Sequence, residues 1–260
     1  MQFAQILAEH SPESGRIPEG WKQGRATYGG LTAAMLYNSL EQILPDPRPV
    51  VWVSISLIGP SDPGEVTLVP RVLRQGKNVI QGECHMYQQG EAVAALQASF
   101  GARRASEVRV TPAPAPQFPE PEQCRTFPDI EGVTPEFLQH FDVALARGGL
   151  PYSGAERAEL AGWMRFRDPV GPLDPTAMLG MLDCWPPTVL PMMRTPAPVS
   201  TLTWTVQFLE GRSEQRGDDW WQYQADTEAS DHGYAQTGAR VWDRAGQLMA
   251  LSQQTIAVFG

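Results

Sequence analysis

The segment LDPTAMLGMLDCWPP, residues 173–187, reads as a short helix with marked ends. Asp174 is a good N-cap, Pro175 suits the first helical position, and Pro186-Pro187 forbid continuation beyond Trp185. Between these marks Ala177, Met178, Leu179, Met181 and Leu182 leave almost no polar side, the pattern of a helix buried on most faces. A sheet curled around one central helix would bury it so. Asp183 stands out against this background. It sits in the last turn, where the helix dipole mildly disfavours a carboxylate, and its neighbours three and four residues back are Gly180 and Leu179. Either it points to solvent beside the Pro-Pro exit, or it is buried and needs polar partners.

Working outward, strand-like HFDVALA (140–146) and LAGWMRF (160–166) precede this helix. After it come VSTLTWTVQFL (199–209), WWQYQADTEA (220–229), GYAQTGARVWD (233–243) and QLMALSQQTIAVF (247–259). The first half of the chain has the same order. LTAAMLYNSLEQIL (31–44) follows Gly29-Gly30 and is also apolar nearly all round. It leads into VWVSISLI (51–58), EVTLVPRVLRQ (65–75), NVIQGECHMYQQ (78–89) and EAVAALQASF (91–100). The endings align at an offset of 156, matching Gly90 with Gly246, Ala94 with Ala250 and Gln97 with Gln253. Between the copies, PAPAPQFPEPEQCRTFP (112–128) cannot supply ladder donors and favours extended polyproline-type backbone. The expected organisation is an α+β chain with one domain over residues 1–108, a Pro-rich linker over 109–133 and a second domain over 134–260.

Composition narrows the function classes. With 42% apolar and 19% charged residues among 260, the chain has material for a sizeable core. A net charge of −9 opposes binding to nucleic acid and to anionic membranes. No apolar run approaches the ~20 residues of a membrane span, and the N-terminus lacks a secretory pattern, so a cytoplasmic location is expected. The three cysteines, Cys84, Cys124 and Cys184, show no CxxC pair, and the four histidines show no HExxH, so no metal is expected. There is no GxSxG, no GxGxxG and no P-loop, which removes a serine hydrolase elbow and gives no reason to expect a cofactor.

TYGGLTAAM, LIGPSDPGEVTLVPRVLRQGKN and GEAVAALQASF in the first half, with LDPTAMLGMLDCWPP, VSTLTWTVQFL and VWDRAGQLMALSQQ in the second, resemble the type II acyl-CoA thioesterase family. The resemblance covers essentially the whole chain. It implies a double hotdog, with two curved antiparallel sheets each wrapped around a central helix, and hydrolysis of acyl-CoA to free acid and CoA. It also implies an Asp, a Thr and a Gln holding the hydrolytic water, which fall on Asp183, Thr201 and Gln254. An acyl chain would lie in an apolar tunnel between helix and sheet, and a homo-oligomer of the double unit is expected. The rival readings are a non-catalytic acyl-CoA or lipid-binding protein of the same shape, and an esterase acting on a non-CoA ester.

Residue patterning bears on these positions independently. In LMALSQQTIAV the positions Leu248, Ala250, Ile256 and Val258 form the greasier face, which Ser252 and Gln254 interrupt, while Gln253 shares a mixed face with Leu251 and Thr255. A bulge would exchange the two glutamines. Simple alternation puts Thr201 with Thr203, Thr205 and Gln207, opposite Leu202, Trp204, Val206 and Phe208. That polar face is either outward or the lining of a site. Gly29 and Gly30 are either a turn into the helix or a close-approach site whose exposed N–H groups meet a thioester oxygen or phosphate. Arg71 and Arg74, with Lys77, Arg103 and Arg104, are candidates for holding CoA phosphates or members of a solvated rim.

Overall fold

The structure is a computed structural model that describes residues 1–209 and 213–259. The first half runs α1 (Phe3–Ala8), β1 (Ser14–Ile17), β2 (Lys22–Gln23), β3 (Ala26–Thr27), α2 (Gly29–Gln42), β4 (Val50–Leu57), β5 (Gly64–Gln75), β6 (Val79–Gln88) and β7 (Glu91–Gly101). The second runs β8 (Arg125–Thr126), β9 (Phe141–Gly148), β10 (Glu159–Phe166), α3 (Pro175–Leu182), β11 (Val199–Phe208), β12 (Trp221–Asp231), β13 (Tyr234–Trp242) and β14 (Leu248–Val258). Both long helices and the strands read from periodicity lie where the sequence puts them, within a residue or two at each end, except that α3 stops at Leu182, three residues short of Trp185. The N-terminal helix, the short strands β1–β3 and β8 carry too few periodic positions to be legible.

Two curved sheets, each wrapped around a helix, were expected, and the described long strands join into one. Its order is β1-β5-β6-β7-β4-β11-β14-β13-β12-β10-β9-β8, with β2 and β3 as a separate small pair. The halves meet edge to edge, where β4 pairs antiparallel with β11 from Thr203↔Ser56 to Gln207↔Trp52. Reading outward from that seam gives β4, β7, β6, β5 on one side and β11, β14, β13, β12 on the other, so the low-identity repeat is visible as a two-fold arrangement of strands. The physical reason for the fusion is edge satisfaction: two such sheets lying side by side each present an unpaired strand, and pairing them removes both edges.

The helices lie together on the sheet. α2 packs on β5, β6 and β7 and also against α3, which in turn contacts β10. Every residue of α3 is buried, as are Leu31–Tyr37, Ser39 and Leu40 of α2, which is why both sequences lack a polar side. Asp174 caps α3 as expected, its side chain accepting from the Ala177 N–H at 2.8 Å.

The proline-rich segment does not hang free. Trp163 Nε1 donates to the Pro119 carbonyl at 2.9 Å and Trp242 Nε1 to that of Ala113 at 3.3 Å. Arg244 lies over the Trp163 ring, 4.9 Å from its centroid, and pairs with Glu120. An extended backbone without ladder partners leaves its carbonyls available, and here two indole N–H groups collect them. β8 then adds to β9 through Arg125↔Leu145 and Thr126↔Ala144.

Candidate functional site

Asp183 is the residue that closes α3, with φ −90° and ψ 3°. Its half-buried carboxylate faces the beginning of α2. A Cβ on Gly29 would stand 2.7 Å from Asp183 Oδ2, so any side chain there would push the carboxylate away. The backbone N–H of Gly30 donates to the carboxylate. At Gly30 a Cβ would lie 2.6 Å from the Tyr28 ring, whose hydroxyl crosses to donate to the Gly180 carbonyl of α3 at 3.0 Å. Gly29 thus makes room for the acid, and Gly30 for the tyrosine that fastens the two helices. Tyr28 at the N-cap supplies no side-chain acceptor to the first turn of α2, whose N–H groups have no partners within the helix. The carboxylate that the end of α3 disfavours is met by the positive end of α2.

Gln254 on β14 completes the arrangement. Its Nε2 donates to Asp183 Oδ1 at 2.8 Å, and its Oε1 accepts from the Thr201 hydroxyl at 3.4 Å. Gln253 is exposed on the opposite face, and Ser252, buried on the Gln254 face, accepts from Trp204 Nε1 at 2.8 Å. Simple alternation put Thr201 on the wrong face for this contact. The β11–β14 register shifts between Thr201 and Thr203, with Thr201 opposite Ile256, Trp204 opposite Gln254, and Leu202 left without a partner. One extra residue in the strand reverses the faces on either side of it, which brings Thr201 round to the side of Gln254.

Burial pushes the Asp183 carboxyl up to about 7, while the hydrogen bonds from Gln254 and the Gly30 amide oppose that rise. Burial also raises the neighbouring Tyr28, Cys184 and Tyr223 groups, and Asp183 adds to each through its charge. A small, partly open cavity adjoins the carboxylate, with room for about one water. Its walls include Trp185, Thr188, Tyr223, Thr237 and Gln254. Sequence reasoning missed Thr188, Tyr223 and Thr237, because a lone Thr in a turn, or a lone Thr or Tyr in a strand, carries no signal beyond local propensity.

The arginines lie elsewhere. Arg71 and Arg74 are on β5, four strand spacings from β11, or roughly 19 Å along the sheet. Arg71, itself exposed, pairs with the largely covered Glu83 at 2.8 Å. Among the described residues no group of three or more His, Cys, Asp or Glu side chains could hold a metal ion. No helix among them is long and apolar enough to cross a membrane.

The comparisons with known proteins agree with this architecture. The chain is similar to a conserved protein of unknown function with a hot dog fold from Alicyclobacillus acidocaldarius, at 24% identity and a TM-score of 0.86, covering 95% of this chain and 92% of that one. A putative thioesterase II from Thermobifida fusca matches at 21% identity and a TM-score of 0.82, covering 99% and 97%. An acyl-CoA thioesterase II, TesB2, from Mycobacterium marinum matches at 20% identity and a TM-score of 0.70, covering 89% of each chain. At these identities the likeness shows the fold, which is hotdog. No curated protein matches. Models of the acyl-CoA thioesterase N-terminal domain and C-terminal domain match residues 17–101 and 121–258 respectively. By those two domain matches, which take in both helices and the seam between them, the chain belongs to the acyl-CoA thioesterase family.

Proposed function

We propose that this protein hydrolyses acyl-CoA thioesters with Asp183 as general base. The observation that carries the reading is the Asp183–Gln254–Thr201 chain of side chains beside a cavity of about one water, with a carboxyl raised to about 7. A base is most effective when its pKa lies near working pH, and a general base of this kind contributes about 10²–10⁴ in rate. Family membership supplies the substrate class, a thioester of CoA.

In the proposed reaction Asp183 takes a proton from water as the water oxygen bonds to the thioester carbonyl carbon. The tetrahedral intermediate collapses with cleavage of the carbon–sulfur bond, and the Asp183 proton goes to the departing CoA sulfur. The products are a carboxylate, a released proton and the CoA thiol. Gln254 and Thr201 fix the orientation of water and base, while the Gly30 amide holds the carboxylate. Remaining first-turn amides of α2 are the candidates for meeting the developing oxyanion, a contribution of about 3 kcal/mol where a donor is well placed. Gly29 is assigned here to close approach, since its missing side chain is what admits Asp183. Arg71 and Arg74 keep their proposed role at the CoA phosphates only if the nucleotide end reaches β5. The test is CoA release, followed by thiol detection, over acyl-CoAs of graded length. Release by the wild type and its loss in Asp183→Asn support the reading. No release from any thioester overturns it in favour of a binding protein.

A further inference from the structure

The tunnel expected between helix and sheet is not what adjoins Asp183. Trp185 forms one wall of the cavity and stacks on Tyr223, with ring centroids 5.0 Å apart and planes 8° apart. Both rings are buried, 5% and 7% exposed. Behind Trp185 stands Phe127, edge-on with centroids 6.0 Å apart and an interplanar angle of 84°. Phe127 directly follows β8, so the docked proline-rich strap and the β8–β9 pairing hold it against the indole. The lining also carries hydroxyls. Thr188 Oγ1 lies 2.6 Å from Thr227 Oγ1 and 3.2 Å from Thr237 Oγ1, and those two are 3.2 Å apart, so the three hydroxyls satisfy one another.

A long acyl chain needs a continuous apolar channel, in which each methylene fills roughly the space of a water and gains about fourfold in affinity by leaving solvent. Here the space next to the carboxylate is about one water in size, bounded by the stacked rings and paired hydroxyls together with Leu182, Ala239 and Ile256. Building on the hydrolase reading, we infer that the acyl group accepted by this site is short and that Trp185 is the residue that sets its length. Trp185 is well suited to be tested, because its buried Nε1 has no hydrogen-bond partner among the described residues. Ring packing alone holds it, so replacement breaks no hydrogen bond.

The experiment measures kcat/KM for acetyl-, butyryl-, octanoyl- and palmitoyl-CoA with the wild type, Trp185→Ala, Trp185→Phe and Phe127→Ala. The wild type should favour acetyl or butyryl over octanoyl by at least about tenfold, because a space of about one water has no room for added methylenes. Trp185→Ala should move the optimum toward octanoyl, and Phe127→Ala should move it less in the same direction by letting the indole retreat. Trp185→Phe serves if the alanine variant fails to fold, and should give an intermediate profile. Equal or better wild-type turnover of palmitoyl-CoA overturns the inference while leaving the hydrolase intact. An unchanged profile in folded Trp185 variants overturns the role of Trp185. No release from any thioester overturns the hydrolase reading, and this inference with it.

Discussion

Asp183 and Gly29 belong to different halves of the chain, yet the acid's Oδ2 lies 2.7 Å from where a Cβ of Gly29 would be. Glycine carries no side chain to support a helix. Its presence here is explained by the carboxylate. Gly29→Ala should therefore lower turnover by at least about tenfold through displacement of Asp183, since small misplacements of a catalytic group cost up to about a hundredfold. Steady-state kinetics on the purified variant check this, with circular dichroism to confirm the fold. Undiminished kcat would separate Gly29 from the site.

The base must be ionised to accept a proton. Because burial holds the Asp183 carboxyl at about 7, kcat/KM should rise with pH through about 7 and level off above it. Gln254→Leu removes a hydrogen bond that favours the ionised form, so its profile should shift to higher pH as its maximum falls. A wild-type profile flat from pH 5 to 8 would separate Asp183 from the rate.

The same burial makes Asp183 a cost to the fold. Its folded pKa of about 7 exceeds the usual 3.8, so the folded state binds the proton more tightly. Stability from this group is full below about pH 4 and is lost as pH rises to about 7, by at most about 4 kcal/mol and less for a half-buried carboxylate. Asp183→Asn should then abolish turnover by about a thousandfold or more while raising the urea midpoint at pH 8.

His10 acts in the opposite sense. It is 7% exposed, burial lowers it from 6.5 to about 4, and its Nδ1 meets Asn38 Nδ2 at 3.1 Å while Nε2 is unpartnered among the described residues. Unfolding takes up a proton between pH 6.5 and about 4, so stability falls as pH drops through that window, by about 3 kcal/mol in the limit. In the wild type the Asp183 and His10 slopes oppose each other over this range. Asp183→Asn should expose the His10 slope, with stability rising from pH 4.5 to 6.5 in urea titrations more steeply than in the wild type.

Docking of the strap through two indoles can be tested separately. Trp163→Phe and Trp242→Phe each delete one N–H donor to a strap carbonyl. Each should cost about 1 kcal/mol, read from urea unfolding. Limited proteolysis between Arg109 and Arg125 should also become faster.

The helices, the eight long meander strands and the core-side position of Gln254 were legible because each leaves a trace: a 3.6-residue or two-residue period, a capping Asp, or a polar residue interrupting a greasy face, whereas Asp183 as its partner came only with the family resemblance. Thr201 was not, because the bulge between Thr201 and Thr203 reverses the alternation on which its face was judged, and no residue type marks a bulge of that kind. The seam was illegible for a related reason. β4 has the composition of any strand, and nothing in VWVSISLI distinguishes an edge covered by solvent from one covered by β11. The aromatic stop at Trp185 was equally silent, since a Trp after a helix is ordinary core material until Tyr223 and Phe127 are seen on either side of it.

The place in the first half that corresponds to the acid site is taken up differently. Ser39, near the matching end of α2, donates to the Pro12 carbonyl, Asn38 meets His10, and the offset of 156 puts buried Ala98 where Gln254 stands. The first half thus offers no second acid at that place and instead supplies the helix start that faces Asp183. The β4–β11 pairing makes the two halves one continuous sheet, so neither half keeps its seam edge satisfied without the other.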